Sequence, residues 1–249
     1  MLNADNPMRS CEAVVFDCAD TLLRLDPSRE VIFRDAAAEE GVDLQLSDIA
    51  HAYELVDFAL KMKSSELKSF RAKSEFYRTY NAGLCAALGI RQSLERLNSV
   101  LIQRFSERRR WIAFEDAADT LRVIGERVPV HVLANWDKGL DHVMRHAGLR
   151  ELVHDVAASE ILGAEKPDRA CFDAFCTRNA LNANRLIYVG NEYIADVIGA
   201  REAGMTPVLL DRNDRLPTAD CLRIRALGDL IPLFSRLSSV PSTAGPAPS

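Results

Sequence analysis

The spacing of apolar and polar positions changes twice along this chain. Residues 13–16 form a short apolar run that leads into two carboxylates, Asp17 and Asp20. Such a run is typical of a buried parallel strand that delivers acidic side chains to the carboxyl end of a sheet. From residue 29 to about residue 110, apolar residues recur at helical spacing and predict about four helices with no strand among them. The predicted breaks between these helices lie near residues 41–43, 63–65 and 88–90.

After residue 110 the pattern alternates between strands and helices. Apolar segments predict strands, and the segments between and after them predict helices. The predicted strands are 129–134, 153–157, 186–190 and 207–210, and the predicted helices are 117–127, 139–146, 169–179 and 194–203. This alternation favours right-handed crossovers and a parallel sheet that is covered on both faces.

An all-helical block between a first strand and a later series of strands is typical of an insertion that folds as its own unit. We therefore predict an α/β fold, with a Rossmann-like, doubly wound parallel sheet as the core and an inserted all-helical cap domain. The core is assigned to residues 11–26 and 111–237, and the cap to residues 27–110. Residues 238–249, rich in Ser, Pro, Ala and Gly, predict a disordered tail.

Composition excludes several classes of function. The chain has 249 residues, 48% of them hydrophobic, and a formal net charge of -5, which offers no basic surface for nucleic acid. No apolar run reaches the roughly 18 residues that span a bilayer, and no export signal is recognisable. The six cysteines form no C-x-x-C pair and predict reduced thiols. We expect a cytoplasmic protein whose partner is a small-molecule substrate, with no nucleic acid and no membrane.

Polar residues follow several of the predicted strands. Because the carboxyl ends of parallel strands converge on one crevice, these residues are candidates for a common site. They are Asp17 to Thr21 after the first strand, Asn135 after the second, Lys166 in a later loop, and Asn191 to Asp196 after the strand 186–190.

The order of these segments resembles the haloacid dehalogenase superfamily of aspartate-nucleophile hydrolases, mostly phosphatases, in which a helical cap follows the first motif. The resemblance covers about residues 12–212. It is most specific in residues 163–168 (GAEKPD) and 189–205 (VGNEYIADVIGAREAGM), which look like the third and fourth motifs of the family. Phe16-Asp17 and Thr21-Leu22 are similar to the first motif.

The resemblance implies a role for several matching residues. Asp17 matches the nucleophile, which attacks the substrate and forms an aspartyl ester. Lys166 matches the lysine that steadies the nucleophile and the developing negative charge. Thr21 matches a threonine that supports the nucleophile loop, and we assign Thr21 and Asn135 to substrate binding.

Two matching positions lack groups that a phosphatase of this family uses. The second aspartate of the first motif, which protonates the leaving oxygen and then activates water, is Ala19 here. In the family, a Ser or Thr hydroxyl contacts the phosphoryl group, and the matching position in this chain is Ala134. Loss of a general acid and base costs on the order of 100- to 10,000-fold in rate, so we expect weak phosphatase turnover.

The resemblance also implies a Mg²⁺ site made by Asp17, the carbonyl of Ala19, position 191 and Asp196. Position 191 is a carboxylate in the family and the neutral Asn191 in this chain. Because Mg²⁺ prefers anionic oxygen ligands and loses its water reluctantly, we expect a weakened Mg²⁺ site.

These residues predict a hydrolase of this superfamily, with an aspartate nucleophile, that acts on a small phosphorylated or related substrate. One alternative is a catalytically inactive member that serves as a binding or regulatory protein. A second is an enzyme with another leaving group, either a metal-independent 2-haloacid dehalogenase or a phosphonatase-type C–P hydrolase. In the phosphonatase case a cap lysine, Lys61, Lys63 or Lys68, would form a Schiff base.

Overall fold

The structure is a computed structural model that describes residues 11–60, 70–91, 94–108 and 110–235. These residues form two compact units. Among them, one unit comprises residues 11–24 and 113–235, and the other comprises the described part of Leu25–Ile112. The predicted tail at 238–249 and the three lysines considered for a Schiff base lie outside the described residues.

Eight strands lie in the part of the chain that the structure describes. They are β1 (Ala13–Phe16), β2 (Leu23–Asp26), β3 (Arg110–Ala113), β4 (Val130–Ala134), β5 (Asp155–Ala158), β6 (Leu186–Gly190), β7 (Thr206–Leu210) and β8 (Leu222–Ile224). Six of them form one parallel sheet in the order β5-β4-β1-β6-β7-β8, and β2 pairs with β3. The predicted Rossmann-like parallel sheet is therefore confirmed.

The sheet has a topological switch point beside β1, where successive strands begin to be added on the opposite side. From β1 the chain moves outward through β4 and β5, returns to the other side of β1 as β6, and continues outward through β7 and β8. In open parallel sheets, ligands bind outside the carboxyl ends of the strands at such a switch point. The topology thus directs attention to the residues that follow β1 and β6.

The strands predicted after residue 110 are all present, with small shifts at their ends. Strands β2, β3 and β8 were not predicted. Each has only three or four residues and contains a charged side chain, whereas the equally short β1 is wholly apolar.

The described residues also contain ten α-helices. They are α1 (Arg29–Glu39), α2 (Leu46–Leu60), α3 (Phe70–Ala87), α4 (Leu94–Arg108), α5 (Ala117–Gly125), α6 (Leu140–His146), α7 (Ser159–Leu162), α8 (Arg169–Asn179), α9 (Gly199–Glu202) and α10 (Ile231–Ser235). The helix predicted over 194–203 is divided into a π-helical segment, Tyr193–Ile198, and α9.

One face of the sheet packs against α8 and α9. Phe172 and Phe175 of α8 and Ala200 of α9 are buried together with Val15 of β1 and Tyr188 of β6. These apolar side chains form a continuous layer, and burial of this kind contributes about 25 cal/mol per Å² of apolar surface. The hydroxyl of Tyr188 lies within this layer, where it needs a hydrogen-bond partner.

The other unit is built from α1, α2, α3 and α4. Its core contains buried side chains from all four helices, including Phe33, Tyr53, Leu84 and Leu101. Two of the predicted breaks contain glycines with positive φ, Gly41 at +77° and Gly89 at +70°, a conformation that glycine adopts without strain. The third predicted break, at 63–65, lies outside the described residues.

All six cysteines are free thiols, as the sequence predicts. Burial raises the pKa of Cys11, Cys85, Cys171 and Cys176 to about 11. The reactive thiolate form of these four residues is therefore scarce at neutral pH. Within the described ranges, no helix is long and apolar enough to cross a membrane.

Arg212, which follows β7, ties three segments of the core unit together. Its guanidinium donates two 2.9 Å hydrogen bonds to the Asp116 carboxylate and one of 3.2 Å to the carbonyl of Thr21. The same group lies 4.0 Å from the ring centroid of Phe114. Asp116 also accepts a bond from the Leu227 backbone N–H. Burial alone would raise the pKa of Asp116, but the bonds from Arg212 and Leu227 outweigh it and lower that pKa.

We expect Asp116→Asn to lower the free energy of unfolding by about 1–3 kcal/mol at pH 7, because a paired carboxylate is lost. The pKa of Asp116 is lower in the folded state than in the unfolded chain. Its ionised form therefore stabilises the fold above about pH 4, and this contribution disappears as the pH falls through the folded-state pKa. Urea denaturation of both proteins across this pH range measures the difference.

Asp119→Asn is the matched control, because Asp119 pairs with Arg122 on the surface of the same helix. Its effect should stay within about 0.5 kcal/mol. A difference between Asp116→Asn and wild type that is equally large at all pH values would contradict the electrostatic explanation.

Candidate active site

Asp17 lies directly after β1, at the switch point of the sheet. Its backbone N–H donates to the carbonyl of Val189 on β6 at 2.8 Å, so the two central strands fix the position of this residue. Its side chain is only 10% exposed. A carboxylate held here cannot rely on water for its hydrogen bonds.

The Lys166 ammonium group provides a hydrogen bond and a positive charge to the buried Asp17 carboxylate. The lysine side chain is 2% exposed, and its Nζ lies 2.7 Å from Asp17 Oδ1 and 2.6 Å from Asp196 Oδ1. The third partner is the hydroxyl oxygen of Tyr188, at 2.8 Å. An ammonium group has three donors, and all three are used here. The structure thus brings together the predicted nucleophile and the predicted lysine.

The backbone of Lys166 is fixed by Asn135, which follows β4. The Asn135 amide donates from Nδ2 to the Lys166 carbonyl and accepts from the Lys166 N–H at Oδ1, both at 2.8 Å. We predicted that Asn135 binds substrate. In the structure both ends of its amide are instead bonded to the lysine loop, so its observed contacts position Lys166.

Asp196 lies on the π-helical segment after β6 and is 1% exposed on its side chain. Its second oxygen, Oδ2, accepts from the backbone N–H of Glu192 at 2.8 Å. Gly190 makes this arrangement possible, because a Cβ at that position would lie 2.3 Å from the Asp196 carboxyl carbon. The family-like glycine before Asn191 therefore has a steric reason in this chain.

The side chain of Asn191 lies against residues 17–21, the loop after β1 that is called the nucleophile loop here. Its amide nitrogen lies 3.0 Å from the Ala19 carbonyl oxygen, 3.0 Å from Thr21 Oγ1 and 3.3 Å from Asp17 Oδ2, and its two N–H donors are shared among these three oxygens. This orientation follows from the hydrogen-bond network, since the opposite one would turn the amide oxygen towards the same acceptors. Both oxygens of the Asp17 carboxylate thus have donors, the ammonium at Oδ1 and the amide at Oδ2.

The remaining residues of the nucleophile loop have structural roles in the conformation observed. Thr21, predicted to bind substrate, is fully buried and contacts Asn191. Asp20 is exposed and has a φ of +57°, a region that aspartate tolerates better than most residues. The positive φ is consistent with the glycine that the haloacid dehalogenase superfamily usually has at position 20. Ala19 brings a backbone carbonyl to the site but no acid.

Burial and charge compete at this site. Burial raises the pKa of Asp17, and the Lys166 ammonium opposes this only in part. Burial, together with the nearby charge of Asp17, also raises the pKa of Asp196 to about 7, although the Lys166 ammonium acts in the opposite direction. Burial lowers the pKa of Lys166, but the Asp17 and Asp196 carboxylates outweigh it, so that this pKa stands well above its ordinary value. The lysine therefore remains an ammonium at neutral pH.

Sequence reasoning missed Tyr188 as a member of the site. This residue lies on β6 between apolar neighbours, and its hydroxyl donates to the carbonyl of Leu133 at 2.7 Å while it accepts from Lys166. One feature of the sequence could have indicated it. Tyr188 places a hydroxyl in a strand that is predicted to be buried on both faces, and a buried hydroxyl needs a hydrogen-bond partner. The pattern could not identify which partner.

Comparisons with known proteins agree with this fold and identify the family. A family model for haloacid dehalogenase-like hydrolases matches residues 11–204. Haloacid dehalogenase-like hydrolase domain-containing protein 3 of Danio rerio is 28% identical over 211 residues, which are 81% of this chain and 85% of that protein.

Two solved structures show the same fold. YfnB of Bacillus subtilis, a HAD-hydrolase bound to magnesium, has a TM-score of 0.71 at 20% identity and covers 90% of this chain and 99% of its own. L-2-haloacid dehalogenase of Xanthobacter autotrophicus, with chloropropionic acid covalently bound, has a TM-score of 0.60 at 18% identity and covers 90% and 98%.

We expect Tyr188→Phe to destabilise the protein by about 1–3 kcal/mol, because the Leu133 carbonyl and one Lys166 donor lose a buried partner. Tyr193→Phe is the control, since its hydroxyl bonds to Asp220 on the surface, and its effect should stay within about 0.5 kcal/mol. Urea denaturation measures both. Equal effects of the two variants would show that the Tyr188 hydroxyl does not support the lysine.

Proposed function

This chain belongs to the haloacid dehalogenase-like hydrolase family, and from that premise we propose that it is a hydrolase whose nucleophile is Asp17. In this proposal Asp17 attacks an electrophilic phosphorus or carbon atom of a small phosphorylated or related substrate. The bond to the leaving group breaks as the aspartyl ester forms. Water then hydrolyses the ester and restores the carboxylate.

The observation that carries the proposal is the 2.7 Å hydrogen bond from Lys166 Nζ to Asp17 Oδ1 in a buried site. It fixes one carboxylate oxygen firmly. The other oxygen, Oδ2, has its amide donor at the longer distance of 3.3 Å. We therefore assign the attack to Oδ2, because its lone pairs are less engaged by hydrogen bonds.

The second carboxylate, Asp196, keeps the charges balanced during turnover. Asp17 becomes neutral when its ester forms, and the Lys166 ammonium would then be left unpaired in a buried environment. The 2.6 Å contact between Lys166 Nζ and Asp196 Oδ1 avoids this, since an unpaired buried charge is strongly unfavourable. The lysine can thus stabilise negative charge on the substrate while it remains paired with Asp196.

The leaving group decides how fast such a site can work. At position 19 the chain offers an alanine, so that a phosphate ester would lose the proton donor on which its departure depends. We therefore propose weak turnover of ordinary phosphate monoesters. The same absence of an acid at position 19 favours a second candidate, a 2-haloacid dehalogenase, because halide leaves without a proton.

Several expectations from the sequence accompany this proposal. We propose that the helical unit, Leu25–Ile112, serves as the cap of the hydrolase. A cytoplasmic location fits the six free cysteines. A phosphonatase reaction remains a prediction from the sequence, as does an inactive binding role, in which Asp17 would perform no chemistry.

We expect Asp17→Asn to abolish turnover of a chromogenic phosphate ester and of chloroacetate, whichever of the two the protein hydrolyses, because a neutral amide is a poor nucleophile. Ala19→Asp should raise the phosphate ester rate by about 100-fold, since it restores an acid and base beside the substrate. Release of p-nitrophenol and of chloride measures the two reactions.

Asp20→Asn is the matched control, because it changes an exposed carboxylate of the same loop at a position whose φ of +57° suits asparagine. Its rates should equal those of the wild type. If wild type and Asp17→Asn give the same background on both substrates, the hydrolase proposal is wrong and a binding role is favoured. Chloride release that depends on Asp17 would instead favour the dehalogenase.

A further inference from the structure

We propose that the Asn191 side-chain amide takes the place of the divalent cation that the family resemblance implies, so that the site is complete without Mg²⁺. The implied ligands are Asp17, the Ala19 carbonyl, position 191 and Asp196. Both carboxylates and the Asn191 amide nitrogen have hydrogen-bond partners within the protein in this structure. The inference concerns cation binding and does not depend on whether the protein turns over a substrate.

The position of the amide is the main observation. The Asn191 nitrogen lies 3.0 Å from the Ala19 carbonyl oxygen and 3.3 Å from Asp17 Oδ2. These are the two oxygens of the nucleophile loop that a cation would contact. An amide N–H and a cation both interact with the lone pairs of oxygen atoms. Either one can therefore bind the Ala19 carbonyl oxygen and Asp17 Oδ2. The amide nitrogen and a Mg²⁺ ion compete for the space between them.

Both oxygens of the remaining acidic ligand already accept hydrogen bonds from the protein. Asp196 Oδ1 accepts from Lys166 Nζ at 2.6 Å, and Asp196 Oδ2 accepts from the Glu192 backbone N–H at 2.8 Å. Mg²⁺ requires near-octahedral oxygen ligands and sheds water reluctantly. Among the described residues, no group of three or more His, Cys, Asp or Glu side chains could hold a metal ion. The donor set therefore does not fit Mg²⁺.

The net charge of the site also argues against a bound cation. The ionised site contains two carboxylates, Asp17 and Asp196, and one ammonium, Lys166, which leaves one negative charge. A carboxylate at position 191 would add a second negative charge, and a buried site with that excess needs a cation. Asn191 avoids the added charge and supplies a donor to Asp17. It thus orients the Asp17 carboxylate, as a cation would, and it avoids the extra negative charge that would call for one.

The decisive variant is Asn191→Asp, with Asn191→Ala as its matched control. Melting temperatures are compared in MgCl₂ and in NaCl of equal ionic strength. We expect no difference between the two salts for the wild type. We expect Asn191→Asp to melt lower than wild type in NaCl and to gain about 5–10 °C in MgCl₂ at 100 times its Kd. Asn191→Ala should also melt lower than wild type but gain nothing from MgCl₂, because it adds no carboxylate.

A second measurement uses the wild type alone, in case the aspartate variant fails to fold. Titration with Mn²⁺, followed by the electron paramagnetic resonance signal of the free ion, should show no stoichiometric loss of signal. Stoichiometric binding of Mn²⁺ by the wild type, or a specific rise of its melting temperature in MgCl₂, would overturn the inference. A folded Asn191→Asp that does not respond to MgCl₂ would overturn it as well, because the amide would then not occupy a cation position.

These outcomes are independent of the proposed hydrolase activity, since melting and Mn²⁺ titration require no substrate. If turnover that depends on Asp17 is found, a chelator should leave the wild-type rate unchanged. A fall of that rate to the Asp17→Asn background after chelation would contradict metal independence while leaving the nucleophile assignment intact.

Discussion

The structure of the site depends on one buried ammonium group. Removing such a charge from water costs several kcal/mol, and only close, well-oriented partners offset that cost. Lys166 has three of them, Asp17, Asp196 and Tyr188, within 2.6–2.8 Å of its Nζ. The surrounding chain serves this arrangement, because the Asn135 amide holds the lysine backbone. A change at any of these positions would leave a buried charge or polar group without a partner.

The same arrangement holds the Asp17 carboxylate, the nucleophile in the proposed reaction, with protein groups alone. A single carboxylate opposite a single ammonium would be left with an unpaired lysine once its ester formed. With Asp196 on the other side of the ammonium, the lysine stays paired in both states. The Asn191 amide completes the bonding of Asp17 without adding charge. The orientation and the charge balance of the Asp17 carboxylate are thus set by the protein's own groups.

The departures from the family pattern form one coherent set. Ala19, Ala134 and Asn191 all follow or end strands at the crevice, yet the sheet, Asp17 and Lys166 are retained. The architecture therefore accommodates changes at the positions to which the family resemblance assigns roles in leaving-group departure, phosphoryl contact and cation binding. A fold can keep its scaffold while its chemistry changes, which is why the activity must be argued from the side chains at the site.

The sequence by itself determined the parallel sheet, the helical insertion and the candidate residues Asp17 and Lys166. These features are recorded in local spacing, such as the apolar run before Asp17 and the alternation of strands and helices after residue 110. Only the tertiary structure decided what each polar group contacts. Lys166 and Asp17 are 149 positions apart, and Thr21 and Asn191 are 170 apart. The roles of Asn135, Tyr188 and the Asn191 amide follow from such long-range contacts, because a hydrogen bond is set by distance and direction in the folded chain and leaves no trace in local periodicity.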